Sequence, residues 1–309
     1  MQKSRFNGLE WSEFVKGVTG LPLSKDWKAF MAVAVTLLLW ASAFAGIKAG
    51  LAAYTPGQLA LLRFLVGSAA MAFFARLRGF GLPDRRDFPR ILCVGFLGFT
   101  VYHLFLNYGE RTVSAGSASL IVSFTPVMTA LLAVLLLKER LRPAGWAGIS
   151  ISVAGVALIS FGEKGAFALD AGSLMILVAS LGSSLYNVFQ KPLLRRYDPI
   201  AFTAYAMMAG TLFMLAFLPG LFKAVGTAPL GATLSVAYLG IFPGAIAYST
   251  WTYALSRMPA SRLSTSLYVS PVLAIVIAWA WIGEVPTFLS LLGGVVTLGG
   301  VLLTNTKGK

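Results

Sequence analysis

Apolar residues run along the chain in ten long stretches separated by short polar turns, at approximately 29–49, 57–77, 88–108, 113–137, 144–162, 171–190, 199–219, 230–254, 262–282 and 288–305. A helix needs about 20 largely apolar residues to cross a bilayer core, and each stretch has about that length. The pattern therefore predicts an all-α membrane protein with ten transmembrane helices, numbered here as spans 1 to 10. The first stretch exceeds a signal-peptide core and shows no clear small-residue cleavage site, so it reads as a retained span. Ahead of it, residues 1–28 carry Trp11, Phe14, Val15 and Val18 at helical spacing. That spacing suits either a short helix on the inner membrane surface or a disordered tail.

The pattern also repeats. TPVMTALLAVLLLKERLRPAGWAGISISVAGVALI, from Thr125, returns as SPVLAIVIAWAWIGEVPTFLSLLGGVVTLGGVLL from Ser270, at a constant offset of 145. Pro126 thus pairs with Pro271, Glu139 with Glu284, Gly148 with Gly293 and Gly155 with Gly300. Earlier in each half, Lys48, Tyr54, Pro56 and Gly67 align with Lys191, Tyr197, Pro199 and Gly210 at an offset of 143. Two five-helix repeats are expected, over 29–162 and 163–309. Five is odd, so the second copy inserts upside down, and inverted repeats place a substrate site in a central cavity between them, open alternately to either side.

Charge supports that orientation. Basic residues gather in alternate loops, among them Arg76, Arg78, Arg85, Arg86 and Arg90, then Lys138, Arg140 and Arg142, then Lys191, Arg195 and Arg196. The opposite side has only Lys48, Arg111, Lys164 and Lys223. The positive-inside rule then puts both termini in the cytoplasm, in a multi-pass protein of the cell inner membrane. The net charge of +14 is explained by this distribution and calls for no nucleic acid. With 57% hydrophobic and 12% charged residues and a mean hydropathy of +0.79, no sizeable soluble domain remains. The single cysteine, Cys93, has no intrachain partner, so no disulfide framework exists.

Polar side chains in hydrocarbon are expensive and tend to face a cavity or a partner. On span 6, Ser183, Tyr186, Asn187 and Gln190 lie at i, i+3, i+4 and i+7 and form one polar stripe. In the repeat register Trp40, Phe44 and Lys48 of span 1 occupy the positions of Ser183, Asn187 and Lys191. A cavity with one aromatic and one amide-rich wall suits an amphipathic small molecule. On spans 3 and 8, Phe99, His103 and Asn107 match Gly244, Tyr248 and Thr252, and Ser123 of span 4 matches Tyr268 of span 9. The candidate contacts are thus Trp40, Phe44, His103, Asn107, Ser183, Tyr186, Asn187, Gln190, Tyr248, Thr252 and Tyr268. Pro126 and Pro271 remove a backbone donor and are expected to kink or hinge spans 4 and 9 as gating points. The plainer reading, interhelical hydrogen bonds and packing, stands beside each of these. Lys48, near a span end, and Arg63, about 9 Å into span 2, could each meet a substrate carboxylate but read more simply as structural, capping carbonyls or reaching the headgroups. Glu139 and Glu284, at opposite faces, read as helix-end anchors.

At this point the chain resembles the ten-span, two-repeat EamA branch of the drug/metabolite transporter superfamily, and most of all its YddG-type amino-acid exporters. The carriers of the likeness are the prolines of spans 4 and 9, the glutamates of KERL and GEVP, and the glycine-rich AGWAGISISVAGVAL and LLGGVVTLGGVLL. The second copy departs at Val285-Pro286, where the first has Arg140-Leu141. The resemblance implies a basket in which spans 1, 3, 4, 6, 8 and 9 surround the cavity, with spans 5 and 10 at the periphery. Gly145, Gly148, Gly155, Gly293, Gly294, Gly299 and Gly300 suit close helix approach there.

No acidic residue stands deep within a span: Glu110 and Asp170 fall at ends. That pattern favours uniport or exchange along the substrate's own gradient, with proton-coupled export of hydrophobic drugs or other metabolites as the alternative. No Walker-type loop is present, and one histidine with one cysteine supplies no catalytic set. The expectation is a carrier without cofactor or metal, acting as monomer or homodimer in the lipid bilayer and exporting amino acids, aromatic and other neutral ones, and related small metabolites.

Overall fold

The computed structural model describes residues 27–137, 142–164, 171–190, 192–257 and 266–307, and every regular element among them is helical. Glu139, Lys191 and the N-terminal segment up to residue 26 lie outside the described residues. Span 1 is Trp27–Leu51, span 2 Pro56–Leu77, span 3 Phe88–Gly109, span 5 Pro143–Lys164, span 6 Ala171–Phe189 and span 7 Pro199–Met214. Span 8 runs through Leu230–Leu239, Gly240–Ile246 and Ala247–Arg257 without a break, and span 10 is Phe288–Lys307. The outward surface is apolar, with Phe73, Trp146, Trp279 and Phe288 exposed to where lipid lies.

The two copies begin their second helices with the same device. Pro56 and Pro199 each open a helix, where the missing N–H costs nothing. Thr55 accepts from Gln58 N at 3.3 Å and Gln58 Oε1 accepts from Thr55 N at 3.2 Å, a reciprocal cap. Asp198 takes the same role in the second copy, accepting from Ile200 N at 2.9 Å and Ala201 N at 3.2 Å.

Spans 4 and 9 are interrupted at matching positions. Span 4 consists of Ala115–Val122 and Thr125–Leu137, and span 9 of a 3₁₀ turn, Leu267–Val269, followed by Ser270–Ile282. Pro126 and Pro271 are the second residues of the restarted helices. Proline cannot donate back to the preceding turn but fits a first turn. The prolines therefore restart their helices and do not bend continuous ones. At the first break, the Thr125 carbonyl accepts from Ser184 Oγ of span 6 at 3.0 Å.

A pseudo-two-fold axis is visible in the packing. Spans 5 and 10 cross antiparallel so closely that a Cβ on Gly148 would stand 2.7 Å from the Gly300 carbonyl oxygen, and one on Gly155 2.7 Å from that of Gly293. Gly148 and Gly293 are repeat equivalents, as are Gly155 and Gly300, so the operation exchanges the two contacts. Elsewhere Ser68 of span 2 meets its own equivalent, Thr211 of span 7, at 2.8 Å. Helices related by this axis run in opposite directions, so the axis lies in the membrane plane and the five-helix repeats are inverted. Of the other glycines expected at this seam, Gly294 packs against Leu120 of span 4 and Gly299 faces open space.

At the face carrying the termini, a polar knot ties the turn before span 3 to the turn before span 7. Buried Asp87 receives Arg196 Nη1 at 2.7 Å and the Tyr197 hydroxyl at 2.7 Å. Burial and that bond raise the Tyr197 pKa, so the hydroxyl donates at neutral pH.

Candidate functional site

Spans 3 and 8 each contain one widened, π-helical turn, Phe96–Val101 and Gly240–Ile246, at an offset close to 145. Such turns are rare and gather at functional sites. Both lie where a second-position helix presses in. A Cβ on Gly67 would meet the Gly240 carbonyl oxygen at 3.1 Å, and one on Gly210 that of Gly95 at 2.8 Å, which is the same contact in each copy. In span 8 Pro243 withholds its donor inside the turn, and its carbonyl accepts from Trp40 Nε1 at 3.3 Å. The turn in span 3 has no proline, and nothing in FLGFTV marks it in the sequence.

Side chains in and just after these turns meet rings from spans 1, 2 and 6. Trp40 of span 1 stands 5.3 Å from Tyr248 and 5.1 Å from Trp251 of span 8. Tyr248 lies 5.6 Å from Phe99 of span 3, which is itself edge-on to Tyr186 of span 6 at 5.8 Å and to Phe64 of span 2 at 5.6 Å. His103 completes the set, 4.5 Å from Phe64 and 4.6 Å from Tyr102. Five spans from both copies thus supply one connected aromatic cluster, its links Phe64 and Phe99 fully buried and Trp40, Tyr186 and Tyr248 partly open.

The structure brings together Trp40, His103, Tyr186 and Tyr248 from the residues expected by sequence. Phe44 is buried in the main core. Asn107 is fully buried and ties span 3 to the start of span 2, donating from Nδ2 to the Pro56 carbonyl at 3.1 Å. Thr252 is buried and donates back to the Tyr248 carbonyl at 2.6 Å. Tyr268 is half-buried against the core. The span 6 stripe divides: Ser183 is half-buried, while exposed Asn187 accepts from Gln190 Nε2 at 3.1 Å. Tyr186 and Asn187 differ by about 100° around the helix, which separates the ring-facing edge of the stripe from its exposed edge.

Behind the rings stands a charged group that the sequence placed inside span 2 and read first as structural. Arg63 is 3% exposed and its Nε and Nη1 have no hydrogen-bond partner among the described residues. Glu110, expected at a span end, does close span 3 as its C-terminal cap but is fully buried, and neither carboxylate oxygen has a partner among the described residues. His103, Asn107 and Glu110 fall at i, i+4 and i+7 on one face of span 3 and its terminus, a spacing legible in advance had Glu110 been read as buried. Glu110 thus stands at a span end, as its position predicts, yet is enclosed by protein there. An open groove lined by Arg76, Phe80, Leu82, Tyr205 and Met208 lies toward the other end of span 2 and includes none of these residues.

Lys48 is not a free snorkelling side chain. It pairs with Glu284 Oε1 at 3.5 Å, and Glu284 Oε2 accepts from Ala115 N, the first residue of span 4, at 2.7 Å. Glu284 is thus the expected helix anchor, and it joins spans 1, 4 and 9 at the face opposite the termini. Glu284→Ala should lower stability by about 1–2 kcal/mol, since a helix cap contributes about 1 and a partly exposed ion pair at most about 1. Glu284→Gln, which keeps the acceptor, should lose about half of that in thermal unfolding of the detergent-purified protein. Equal losses would deny the cap its share.

A profile of the EamA-like transporter family matches residues 27–161 and 170–306. The uncharacterized transporter YdfC of Bacillus subtilis (strain 168) is 49% identical over 87% of this chain and 88% of its own length. A protein named "Probable terminal-alkyne amino-acid exporter" from Streptantibioticus cattleyicolor is 39% identical over 91% of this chain and 94% of its own. The uncharacterized inner membrane transporter YedA of Escherichia coli (strain K12) is 26% identical over 90% of this chain and 91% of its own. A solved crystal structure superposes with a TM-score of 0.61 over 89% of this chain and 95% of its own, at 24% identity, a likeness of fold alone.

Proposed function

The chain belongs to the EamA-like transporter family, and on that premise we propose that it exports amino acids, aromatic and other neutral ones among them, by alternating access. It is a multi-pass membrane transporter and not an enzyme. The observation that carries the reading is the central aromatic surface of Trp40, Phe99, Tyr186 and Tyr248, drawn from both copies and adjoining buried Arg63. Rings of this kind accept an apolar or aromatic side chain, and a buried guanidinium attracts a carboxylate. The name of the Streptantibioticus relative points to the same cargo class.

The two copies, taken as 29–162 and 163–309, rock about the in-plane axis, with the helix breaks before Pro126 and Pro271 as hinges and both termini in the cytoplasm. Transport runs down the substrate's own gradient, as uniport or exchange. One observation favours a second reading, proton-coupled export: Glu110 is a buried carboxylate of the kind that carries protons in coupled carriers. Uptake of labelled phenylalanine, methionine and a cationic dye into proteoliposomes, with and without a pH gradient, separates the readings. Amino-acid flux without the gradient supports the first. Flux only under a gradient supports the second, and dye flux alone overturns amino-acid export.

A further inference from the structure

Four buried polar side chains on spans 2 and 3 carry atoms that the described residues leave unpartnered: Arg63 Nε and Nη1, both ring nitrogens of His103, Asn107 Oδ1 and both Glu110 oxygens. Native interiors pair such groups, because each one left without a partner carries the full cost of its desolvation. Here Arg63 stands within electrostatic reach of both His103 and Glu110, and Arg63 and this carboxylate do not meet directly, since neither Glu110 oxygen has a hydrogen-bond partner among the described residues. We propose that this group is a head-group subsite for zwitterionic α-amino acids, in which Arg63 takes the carboxylate and Glu110, with Asn107 Oδ1, takes the ammonium. The inference rests on amino acids being the cargo and specifies how they are chosen.

The dimensions suit the assignment. Arg63 precedes Phe64, whose ring stacks near His103, so Arg63 lies at the level of His103. Glu110 is seven residues further along span 3, about 10 Å of helical rise. An Arg and a Glu side chain, with an amino-acid head group and hydrogen bonds of about 2.8 Å at each end, span that rise. The charges balance too. Arg63 is faced by Glu110, Tyr102 and Tyr248, and Glu110 by Lys48, Glu284 and Arg63. With Lys48 engaged by Glu284, Arg63 and Glu110 are left to address a ligand of two opposite charges. The rings of Phe64, Phe99 and Tyr248 adjoin Arg63 and His103 and receive the ligand's side chain.

The test begins with the unaltered protein. In proteoliposomes loaded for phenylalanine counterflow, phenethylamine, which lacks the carboxylate, and 3-phenylpropionate, which lacks the ammonium, are added as competitors. Each should require about ten- to a hundredfold higher concentration than unlabelled phenylalanine, the loss expected for one charge-assisted pairing. In Glu110→Gln, phenylalanine should weaken about tenfold while 3-phenylpropionate holds its affinity, so that this discrimination collapses. Arg63→Lys, which keeps the charge but not the fork, should weaken phenylalanine and 3-phenylpropionate together and spare phenethylamine. Equal competition by all three compounds in the unaltered protein overturns the subsite and leaves amino-acid export standing; so does a uniform loss across all three in Glu110→Gln. If Glu110→Gln changes only the response to a pH gradient, Glu110 is a proton site and the subsite is wrong. Absence of any amino-acid flux in the unaltered protein removes the export reading, and the subsite with it. Should a variant not yield monodisperse protein, the competitor series alone decides.

Discussion

Gly155→Leu is expected to abolish or severely reduce the yield of folded protein. A Cβ at this position would press on Thr297 N and lie 2.7 Å from the Gly293 carbonyl oxygen, both backbone atoms of span 10, and only the Thr297 hydroxyl beside them could turn aside. Association of membrane helices depends on such close packing, because lipid is as apolar as the helix surface and separation of the helices costs little hydrophobic energy. Overpacking a tight interior costs about 1–3 kcal/mol even where neighbours yield, and here the neighbour is backbone. The same seam holds Gly148 against Gly300, so one leucine would pry apart spans 5 and 10, which pack mainly on each other. Gly299→Leu is the matched control, since a Cβ there meets nothing within 4 Å. Detergent gel filtration and thermal unfolding should show aggregation or a large destabilisation for the first and a near-normal profile for the second. Similar behaviour of the two variants would mean that the glycine seam does not hold spans 5 and 10.

The seam was legible in the sequence because glycine is a positive signal: a small residue recurring in register across two copies has few purposes in a membrane helix other than close approach. The inverted halves were legible for the same reason, and so was the place of an irregularity at Pro126 and Pro271, although it takes the form of a helix restart where a kink was expected. The π-helical turn of span 3 left no trace, because the widening follows from the contact of Gly210 with Gly95 and not from the side chains of Phe96–Val101. In span 8 Pro243 is such a trace, and the repeat would have carried it back to span 3.

The burial of Glu110 was hidden for a related reason. Position near a span end is a one-dimensional measure of depth, and it fails where neighbouring spans extend past that end. Span 3 stops at Gly109, yet the adjacent span 4 start at Ala115 and the Lys48–Glu284 pair both stand beside it, so the residue after the last helical turn is still enclosed. The division of the span 6 stripe is a matter of angle. A face about 100° wide is uniform in a helical projection, but only the Tyr186 edge meets Phe99. Side-chain partners far apart in the chain, such as Ser42 with Tyr238 at 2.6 Å, likewise emerge only from the packed helices.

Trp40→Ala should reduce phenylalanine transport in proteoliposomes by about tenfold or more while leaving monodisperse protein. Trp40 is half-buried, not part of the densest core, and its ring joins span 1 to span 8 through Tyr248 and Trp251. Each aromatic contact contributes about 0.5–1.5 kcal/mol beyond its buried area. One such contact made with cargo instead corresponds to roughly two- to tenfold in affinity, and the apolar area the indole buries adds to it. The indole also donates to the Pro243 carbonyl, inside the widened turn that aims Tyr248 at the centre. Trp40→Phe separates these roles. If the ring face is what cargo needs, phenylalanine at this position restores most of the flux; if the hydrogen bond sets the turn, it transports as poorly as alanine. Trp279→Ala, on the outward surface at 63% exposure, removes an indole of equal size from where lipid lies and should leave transport unchanged. Should Trp40→Ala and Trp279→Ala give the same kinetics, the aromatic centre is packing alone and cargo travels by another route.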